Sequence, residues 1–525
     1  MASINKKVGF AAIIMMTSIF LSRFIGLFRE MTIAYIGGAG ADVDAYQLAF
    51  MMPEILNHVA ASGFLSITFI PIFSQYMADN NEQEGWRIFS IIINIVGSIL
   101  ILLIVVALIF THGLIQLLAP GITNEQTINY AVSMTRIIMP AQFFFFIGGL
   151  LMAVQYAKER FIYPAMAPLI YNLGIIIGGI ALGKQLGMMG FSYGVLMGAF
   201  VGNFVLQYIG ARRVGMRYFF DFSFRHPDFK KYILLTLPLM LGMTMLFSTE
   251  ICFKFFGSWL PAGSISSLNY AFRVMFMMVG FFGQAVGVAS FPYLSQLAAR
   301  KDIASMNNLL NDTLNQYIAL IIPFSVLLAV LRHEIIFVLF ERGKFSSGDT
   351  QIAADILMYL MIGAFAFAAQ TVVVRGYYAM QNTLFPAIFS TLAVLLSVPF
   401  YFLGLQYMNV YGIALAMSIS AIVQIVLLYA LWNRKTQNIN SLKVYFFFMK
   451  LILLSIPLGG IAFYCRIILI QYFPPITIIF CLITSCLTGI IFLIILIVFG
   501  YIFHINVIVD LSQGLYKRIR NLIAY

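Results

Sequence analysis

Hydrophobic residues make up 62% of this 525-residue chain and charged residues 10%, with a mean hydropathy of +0.96. A water-soluble domain carries about a quarter charged residues, so the composition excludes a soluble globular enzyme and makes lipid the solvent. The formal net charge is +12, and its distribution along the chain reads as an orientation device against anionic lipid, with no nucleic-acid partner implied.

At about 20 residues per crossing, apolar windows predict fourteen membrane-spanning helices in an all-α polytopic fold. The first covers 8–28. Its apolar sequence runs from Val8 into Arg23 without a small-residue cleavage site, which argues against a cleavable signal. It holds the run Ser22-Arg23-Phe24-Ile25-Gly26-Leu27-Phe28-Arg29-Glu30. A charge at mid-membrane costs about 2.5–3.5 kcal/mol and marks a water-filled path or a bound ion. The guanidinium fork suits phosphate and carboxylate. Arg23, about fifteen residues into the span, is too deep for simple snorkelling, whereas Arg29 has Glu30 beside it and the option of ending the helix at the surface.

The second span, 43–74, adds Asp44, Glu54 and His58, with Glu54 just after Pro53. The third and fourth, 88–110 and 128–156, are followed by 161–183 and 189–210; Arg136 lies two turns into the fourth. In the seventh, 232–256, Glu250 and Lys254 stand at i, i+4, the spacing of an intrahelical ion pair or of a proton- or cation-sensing pair. The eighth, 265–293, carries Arg273 with no acid within four residues, which suits a cavity-facing cation. The remaining spans are 312–331, 352–374, 383–404, 408–431, 446–468 and 476–503. The last two are dense in Ile, Leu and Phe, either packing helices or a greasy groove.

With both termini cytoplasmic, 21 of the 31 Lys and Arg fall at cytoplasmic ends or loops and five fall outside, a positive-inside pattern. Cys252, Cys465, Cys481 and Cys486 lie in apolar stretches without metal spacing. There is no Gly-x4-Gly-Lys-Ser/Thr signature, so no nucleotide and no resident cofactor is expected. The driving force is expected from the cargo gradient, the membrane potential or a monovalent cation.

A shift of about 222 lays the second part of the chain on the first. Gly121 meets Gly343, Tyr156-Ala157 meets Tyr378-Ala379, Pro164-Ala165 meets Pro386-Ala387 and Gly190 meets Gly412. Six spans separate equivalent positions, so both copies cross in the same sense, a parallel repeat. The expected organisation is an N-lobe at 1–220, a C-lobe at 221–442 and an added helix pair with a cytoplasmic tail at 443–525.

Several segments resemble the lipid II flippase family (MurJ, also called MviN) of the MOP exporter superfamily. They are Ser22-Arg23-x-x-Gly26-x-x-Arg29-Glu30, Gly38-Ala39-Gly40-x3-Asp44-Ala45, Phe50-x-x-Pro53, Gly63-x-x-Ser66-x3-Ile70-Pro71, Pro164-Ala165-x-Ala167-Pro168-x3-Asn172 and Phe340-Glu341-Arg342-Gly343-Lys344-Phe345. The resemblance implies two lobes around a cationic cavity in the bacterial cytoplasmic membrane. It also implies an undecaprenyl-pyrophosphate-linked peptidoglycan precursor as cargo, moved from inner to outer leaflet, with cell-wall synthesis proteins as candidate partners. By resemblance, Arg23, Arg29 and Arg273 take the positions of essential cavity arginines, Asp44 that of a functional acid, and the last two helices a groove for the polyprenyl tail. The family usually has an arginine pair after the proline of the second helix and an acid before the glycine matching Gly63. This chain has Asn57-His58 and Ser62 there. Alternatives left open by the residues are a flippase for another polyprenyl-linked glycan, a cation-coupled exporter of small molecules, and a transport-dead lipid-binding scaffold.

Overall fold

The computed structural model describes residues 2–58, 64–244, 248–382, 384–510 and 512–514. Ser62, Gly63 and the basic residues Lys517, Arg518 and Arg520 lie outside the described residues. In chain order the first repeat copy contains α1 (Ala2–Gly37), α2 (Ala41–Ala49), α3 (Met51–Leu56), α4 (Phe64–Ala78), α5 (Glu82–Ile109), α6 (Thr111–Leu118), α7 (Glu125–Ile138), α8 (Ala141–Ala157), α9 (Ile162–Leu186), α10 (Met188–Ala199) and α11 (Leu206–Arg213). A π-helical stretch, Phe200–Val205, joins the last two. Then follow α12 (Pro227–Thr244), α13 (Ser248–Gly257), α14 (Ser264–Ala299), α15 (Ile303–Val330), α16 (Arg332–Phe340), α17 (Ser347–Ala379), α18 (Leu384–Thr436), α19 (Ser441–Tyr472) and α20 (Ile478–Ile502). Among the described residues nine helical stretches are long and apolar enough to cross a membrane. One of them, α18, holds two predicted spans, because Asn409 at φ 50°, ψ −130° breaks it.

The repeat is written into the backbone. α5 and α15 have 28 residues each and start 221 positions apart. The stretch from Glu125 to Ala157 and α17 have 33 residues each and start 222 apart. Gly187, at φ 56° and ψ −132°, is the counterpart of Asn409, so the same hairpin reversal occurs twice. Such a conformation favours glycine and strains an L-residue.

Prolines explain where the copies differ. Pro140 has no N–H to donate to the carbonyl of Arg136, and the helix is interrupted between α7 and α8. The equivalent position in α17 is Ile362, and that helix runs unbroken. The predicted single span 43–74 is likewise corrected to α2, α3, a π turn at Asn57-His58 and α4. Pro53 cannot donate to Ala49, whereas Met275, its counterpart, lies inside the 36-residue α14.

Two compact units result, Met1–Ser266 with Arg342–Phe345, and Ser267–Glu341 with Ser346–Tyr525. In the first, α9 and α10 approach through glycines. A Cβ at Gly174 would lie 2.6 Å from the Cα of Gly198, and one at Gly178 would lie 2.5 Å from that of Gly194. Small residues permit this backbone-to-backbone contact in lipid, where packing replaces hydrophobic driving force. Around Trp86, Phe73, Phe89 and Phe146 the same unit builds an aromatic core.

The linker from α11 to α12 is pinned along α5. Ser90 Oγ accepts from the Phe219 N–H at 3.0 Å, and Asn94 Nδ2 donates to the Phe219 and Asp221 carbonyls at 3.2 and 2.9 Å. The Ser223 hydroxyl and the Arg87 guanidinium hold the Asp221 carboxyl below its usual range. That anchor is therefore in place at neutral pH and lost as pH falls through the depressed value.

In the second unit α19 and α20 are the most lipid-facing helices, with 22% and 17% of their apolar windows buried against 50–67% for most others. Arg466 ties α19 to α16: its Nε reaches Glu334 Oε1 and Oε2 at 2.8 and 3.0 Å, and its Nη2 reaches Oε1 at 2.8 Å. The Glu334 side chain is 0% exposed. Removing one partner of a buried pair leaves an uncompensated charge and costs about 3–5 kcal/mol. Glu334→Ala should therefore lower the thermal midpoint in detergent sharply, while Glu334→Leu with Arg466→Met should recover most of it. Equal midpoints for parent and Glu334→Ala would remove the pair from the account of stability.

Candidate functional site

In α1, Ser18, Ser22, Gly26 and Arg29 recur at intervals of four, four and three and share one helix face. That face lies on α9. The Ser18 hydroxyl donates to the Ala165 carbonyl, and Asn172 Nδ2 donates to Ser22 Oγ at 3.3 Å and to the Pro168 carbonyl at 2.9 Å. Arg29 Nη1 donates to Asn172 Oδ1 at 3.0 Å, and its Nη2 pairs with Glu30 Oε1 at 2.6 Å. With the Glu30 side chain only 6% exposed, this cation is compensated inside the protein. Asn172 was quoted as part of a motif, but its role as the acceptor for Arg29 was not legible in the sequence. The i, i+4 polar spacing in α1 was the available signal.

Arg23 is different. It lies on another face of α1, half-buried, with no hydrogen-bond or ion-pair partner among the described residues. The two arginines are about 9 Å apart along the helix, yet one is neutralised by its neighbours and the other has no side-chain partner among the described residues.

Asp44 is buried in α2, and both of its oxygens are engaged. Oδ2 accepts the Gly263 N–H at 2.6 Å and Oδ1 the Ser266 N–H at 2.7 Å, which caps the first turn of α14. Beside it three glycines at positive φ permit close backbone approach: Gly38 (72°), Gly263 (93°) and Gly343 (65°). A Cβ at Gly38 would lie 2.7 Å from the Lys344 carbonyl, and Gly263 and Gly343 pack in the same way on the Ala39 and Tyr35 carbonyls. The Lys344 N–H completes the cluster by donating to Tyr35 O at 3.0 Å. The two glycine-bearing motifs quoted from the sequence thus form one packed knot. Gly121, the repeat counterpart of Gly343, makes the equivalent contact with Ser258 and Trp259, its N–H donating to Ser258 Oγ at 3.0 Å.

The Glu250–Lys254 pair expected from i, i+4 spacing is corrected. The Lys254 ammonium, 1% exposed, goes to Glu54 Oε2 at 3.3 Å, joining α13 to α3. The i, i+4 spacing permits an intrahelical pair without requiring it, and the fold brings a carboxylate from α3 to the ammonium instead. Glu250 is instead within electrostatic reach of His58. The four titratable groups Glu54, His58, Glu250 and Lys254 therefore belong to one neighbourhood of the first unit. Arg136, in the last turn of α7, is exposed.

In the second unit Arg273 is half-buried on α14. Arg375, which the chain-order reading counted with the cytoplasmic ends, is half-buried in α17 and its Nη1 has no hydrogen-bond partner among the described residues. Its setting, Val372-Val373-Val374-Arg375-Gly376, was the overlooked signal. A groove of about 430 Å³ between α15, α17 and α19 is lined by Ile322, Val326, Met361, Phe365 and Ile456, and the Ser325 and Ser455 hydroxyls have no hydrogen-bond partner among the described residues. Among the described residues no group of three or more His, Cys, Asp or Glu is placed to hold a metal ion.

A sequence model of the family described as "Lipid II flippase MurJ" matches residues 33–484. A probable lipid II flippase MurJ of Buchnera aphidicola subsp. Baizongia pistaciae is 27% identical over 413 residues, covering 78% of this chain and 80% of the relative. The lipid II flippase MurJ of Thermosipho africanus is 27% identical over 437 residues, covering 82% and 87%. Among solved structures, a lipid II flippase MurJ in an inward closed conformation superposes with a TM-score of 0.75 at 26% identity, covering 91% of this chain and 98% of that one. An inward-facing multidrug resistance MATE transporter of the MOP superfamily shares the fold, with a TM-score of 0.65 at 11% identity, covering 79% and 94%. With a match across most of its length and the same fold, this chain belongs to the lipid II flippase MurJ family.

Proposed function

We propose that the chain is a transporter that carries lipid II, the undecaprenyl-pyrophosphate-linked peptidoglycan precursor, from the inner to the outer leaflet of the bacterial cytoplasmic membrane by alternating access. The observation that carries this is the family match over residues 33–484, with relatives bearing that activity in their names across about four-fifths of both chains. The working lobes are the two repeat copies, 1–220 and 221–442, and both termini face the cytoplasm. A diphosphate sugar head cannot enter hydrocarbon unaided, since each unpaired polar group there costs several kcal/mol. Arg23 and Arg273 bind the pyrophosphate, while Arg29, paired with Glu30 and bonded to Asn172, holds α1 on α9. Asp44 serves by capping α14 rather than by touching cargo. The groove beside α19 takes the polyprenyl tail. Membrane potential or a monovalent cation supplies the drive, with Glu54, His58, Glu250 and Lys254 as the coupling neighbourhood and Arg136 as an accessory cation. Cell-wall synthesis proteins are the partners this role implies.

The test is rescue of a bacterium depleted of its lipid II flippase. Growth should be restored by the parent chain and by Lys184→Gln, and abolished by Arg273→Ala at equal membrane abundance. In the same cells Arg273→Ala should reduce outer-leaflet precursor about tenfold or more, the worth of one charge-assisted contact. A well-expressed parent that fails to rescue, or Arg273→Ala cells with unchanged precursor delivery, would overturn the assignment. The first outcome would direct attention to another polyprenyl-linked glycan, for which His58 in place of an arginine is the motivating difference.

A further inference from the structure

We infer that the linker between α11 and α12, together with the first two turns of α12, forms a binding site for an anionic phospholipid of the surrounding bilayer, separate from any site for cargo. The argument begins with depth. Ser90 lies about 29 Å along α5 from Ile109 at 1.5 Å per residue, close to the thickness of a hydrocarbon core. The linker backbone is bonded to Ser90 and Asn94, so it runs along the membrane boundary and does not hang free in water.

Its side chains match that position. Phe220, Phe222 and Phe224 are all exposed, Phe220 to 83%. Aromatic residues presented outward at an interface are suited to burial among headgroups and upper acyl chains. Next to them a cavity of about 470 Å³ opens between Phe224, Arg225, Phe229, Lys230, Ile233 and Leu234. It therefore has an apolar floor and two cationic edges, the amphiphilic shape of a phospholipid rather than of a free anion.

The charges around the cavity are arranged to favour an anion. The nearby acids are already engaged: Asp221 with Arg87 and Ser223, Asp228 with the Tyr76 hydroxyl, and Glu84 with Arg87 and His226. Arg225 and Lys230 are exposed, with no hydrogen-bond or ion-pair partner among the described residues. The end of the linker and the first turn of α12 thus present two cations without ion-pair partners among the described residues, Arg225 and Lys230, beside exposed aromatics, on a linker backbone that hydrogen bonds hold in place.

The construction recurs in the second unit. Asn311, the repeat counterpart of Ser90, bonds Asn438 through its Nδ2 at 3.0 Å, and Asn307 Nδ2 donates to the Thr436 carbonyl at 3.1 Å. The linker held there exposes Ile439 to 91%, and Leu442, just inside α19, is exposed to 64%. Both linkers are held at one equivalent position, Ser90 and Asn311, and both segments turn apolar side chains outward.

The experiment uses the full-length chain in detergent, titrated with dioleoyl phosphatidylglycerol or dioleoyl phosphatidylcholine and read by native mass spectrometry. The parent should bind phosphatidylglycerol about 30-fold more tightly, from about fivefold per cation. Arg225→Gln with Lys230→Gln should abolish that preference, while Arg300→Gln with Lys301→Gln should leave it unchanged. With Trp86, Trp259 and Trp432 replaced by Phe, Phe220→Trp in phosphatidylglycerol nanodiscs should be quenched by brominated acyl chains. Retained preference in the Arg225/Lys230 variant, an unquenched Trp, or displacement of the phospholipid by glycerol phosphate alone would each overturn the proposal. Displacement by an undecaprenyl phosphate at equimolar ratio would assign the site to cargo and overturn it as well.

Discussion

Arg23→Ala should yield a protein as thermally stable as the parent that no longer moves its cargo. Arg23 has no hydrogen-bond or ion-pair partner among the described residues, so truncation breaks no pair within them and removes a half-buried charge that is costly to keep. A charge-assisted contact to a phosphate is worth about 1.5–3 kcal/mol, which corresponds to a loss of about 10- to 100-fold in cargo affinity. Arg29→Ala should behave in the opposite way. It leaves Glu30, at 6% side-chain exposure, without the guanidinium 2.6 Å away, and it deprives Asn172 of its donor. The expected cost is about 3–5 kcal/mol of stability, visible as a lowered thermal midpoint, with Arg29→Gln combined with Glu30→Gln recovering much of it. Two arginines six positions apart would then fail for different reasons. Transport at parental rate in Arg23→Ala would end its assignment as the cargo cation, and a parental midpoint in Arg29→Ala would end the structural reading of the pair.

Asp44→Ala should be among the most destabilising single changes in the first unit. Its carboxylate accepts two backbone N–H groups at 2.6 and 2.7 Å, in a place where water does not substitute. Two charge-assisted bonds at about 1.5–3 kcal/mol each put the loss at about 3–6 kcal/mol. Asp44→Asn keeps one acceptor and the shape but places an amide NH2 against a donor, so it should fall between the two. Thermal midpoints of the three proteins, measured beside cargo binding, separate the possibilities. A stable Asp44→Ala protein that has lost only cargo affinity would show the carboxylate to be a ligand for cargo and not a helix cap.

The all-helical membrane class followed from composition, and the repeat followed from a constant register. The register held from Gly121 with Gly343 to Gly190 with Gly412, and helices of equal length at 221 and 222 positions repeat it in the backbone. The interruptions were legible in part. Pro140 and Pro53 lie where their helices are interrupted, but Pro71, Pro168, Pro323 and Pro457 sit inside continuous helices, and the π turn at Asn57-His58 carries no sequence signature of its own. At the candidate site, the sequence named the titratable residues but not their pairings. Lys254 was read with Glu250 because local spacing is all a sequence displays, whereas its partner, Glu54, is 200 residues away.

By itself, then, the sequence determined what is set by local chemistry and by counting: lipid as solvent, helices of spanning length, the excess of cations at one set of loop ends, and two copies of one pattern. Tertiary structure decided which charges remain available. Arg23 and Arg29 are the same side chain in the same apolar helix. Asn172, brought in by α9 from more than 140 positions away, together with the buried Glu30, neutralises one and leaves the other. Neutralisation depends on distances of about 3 Å between side chains. Only packing, here of α1 against the glycine-joined pair α9 and α10, sets distances of that order.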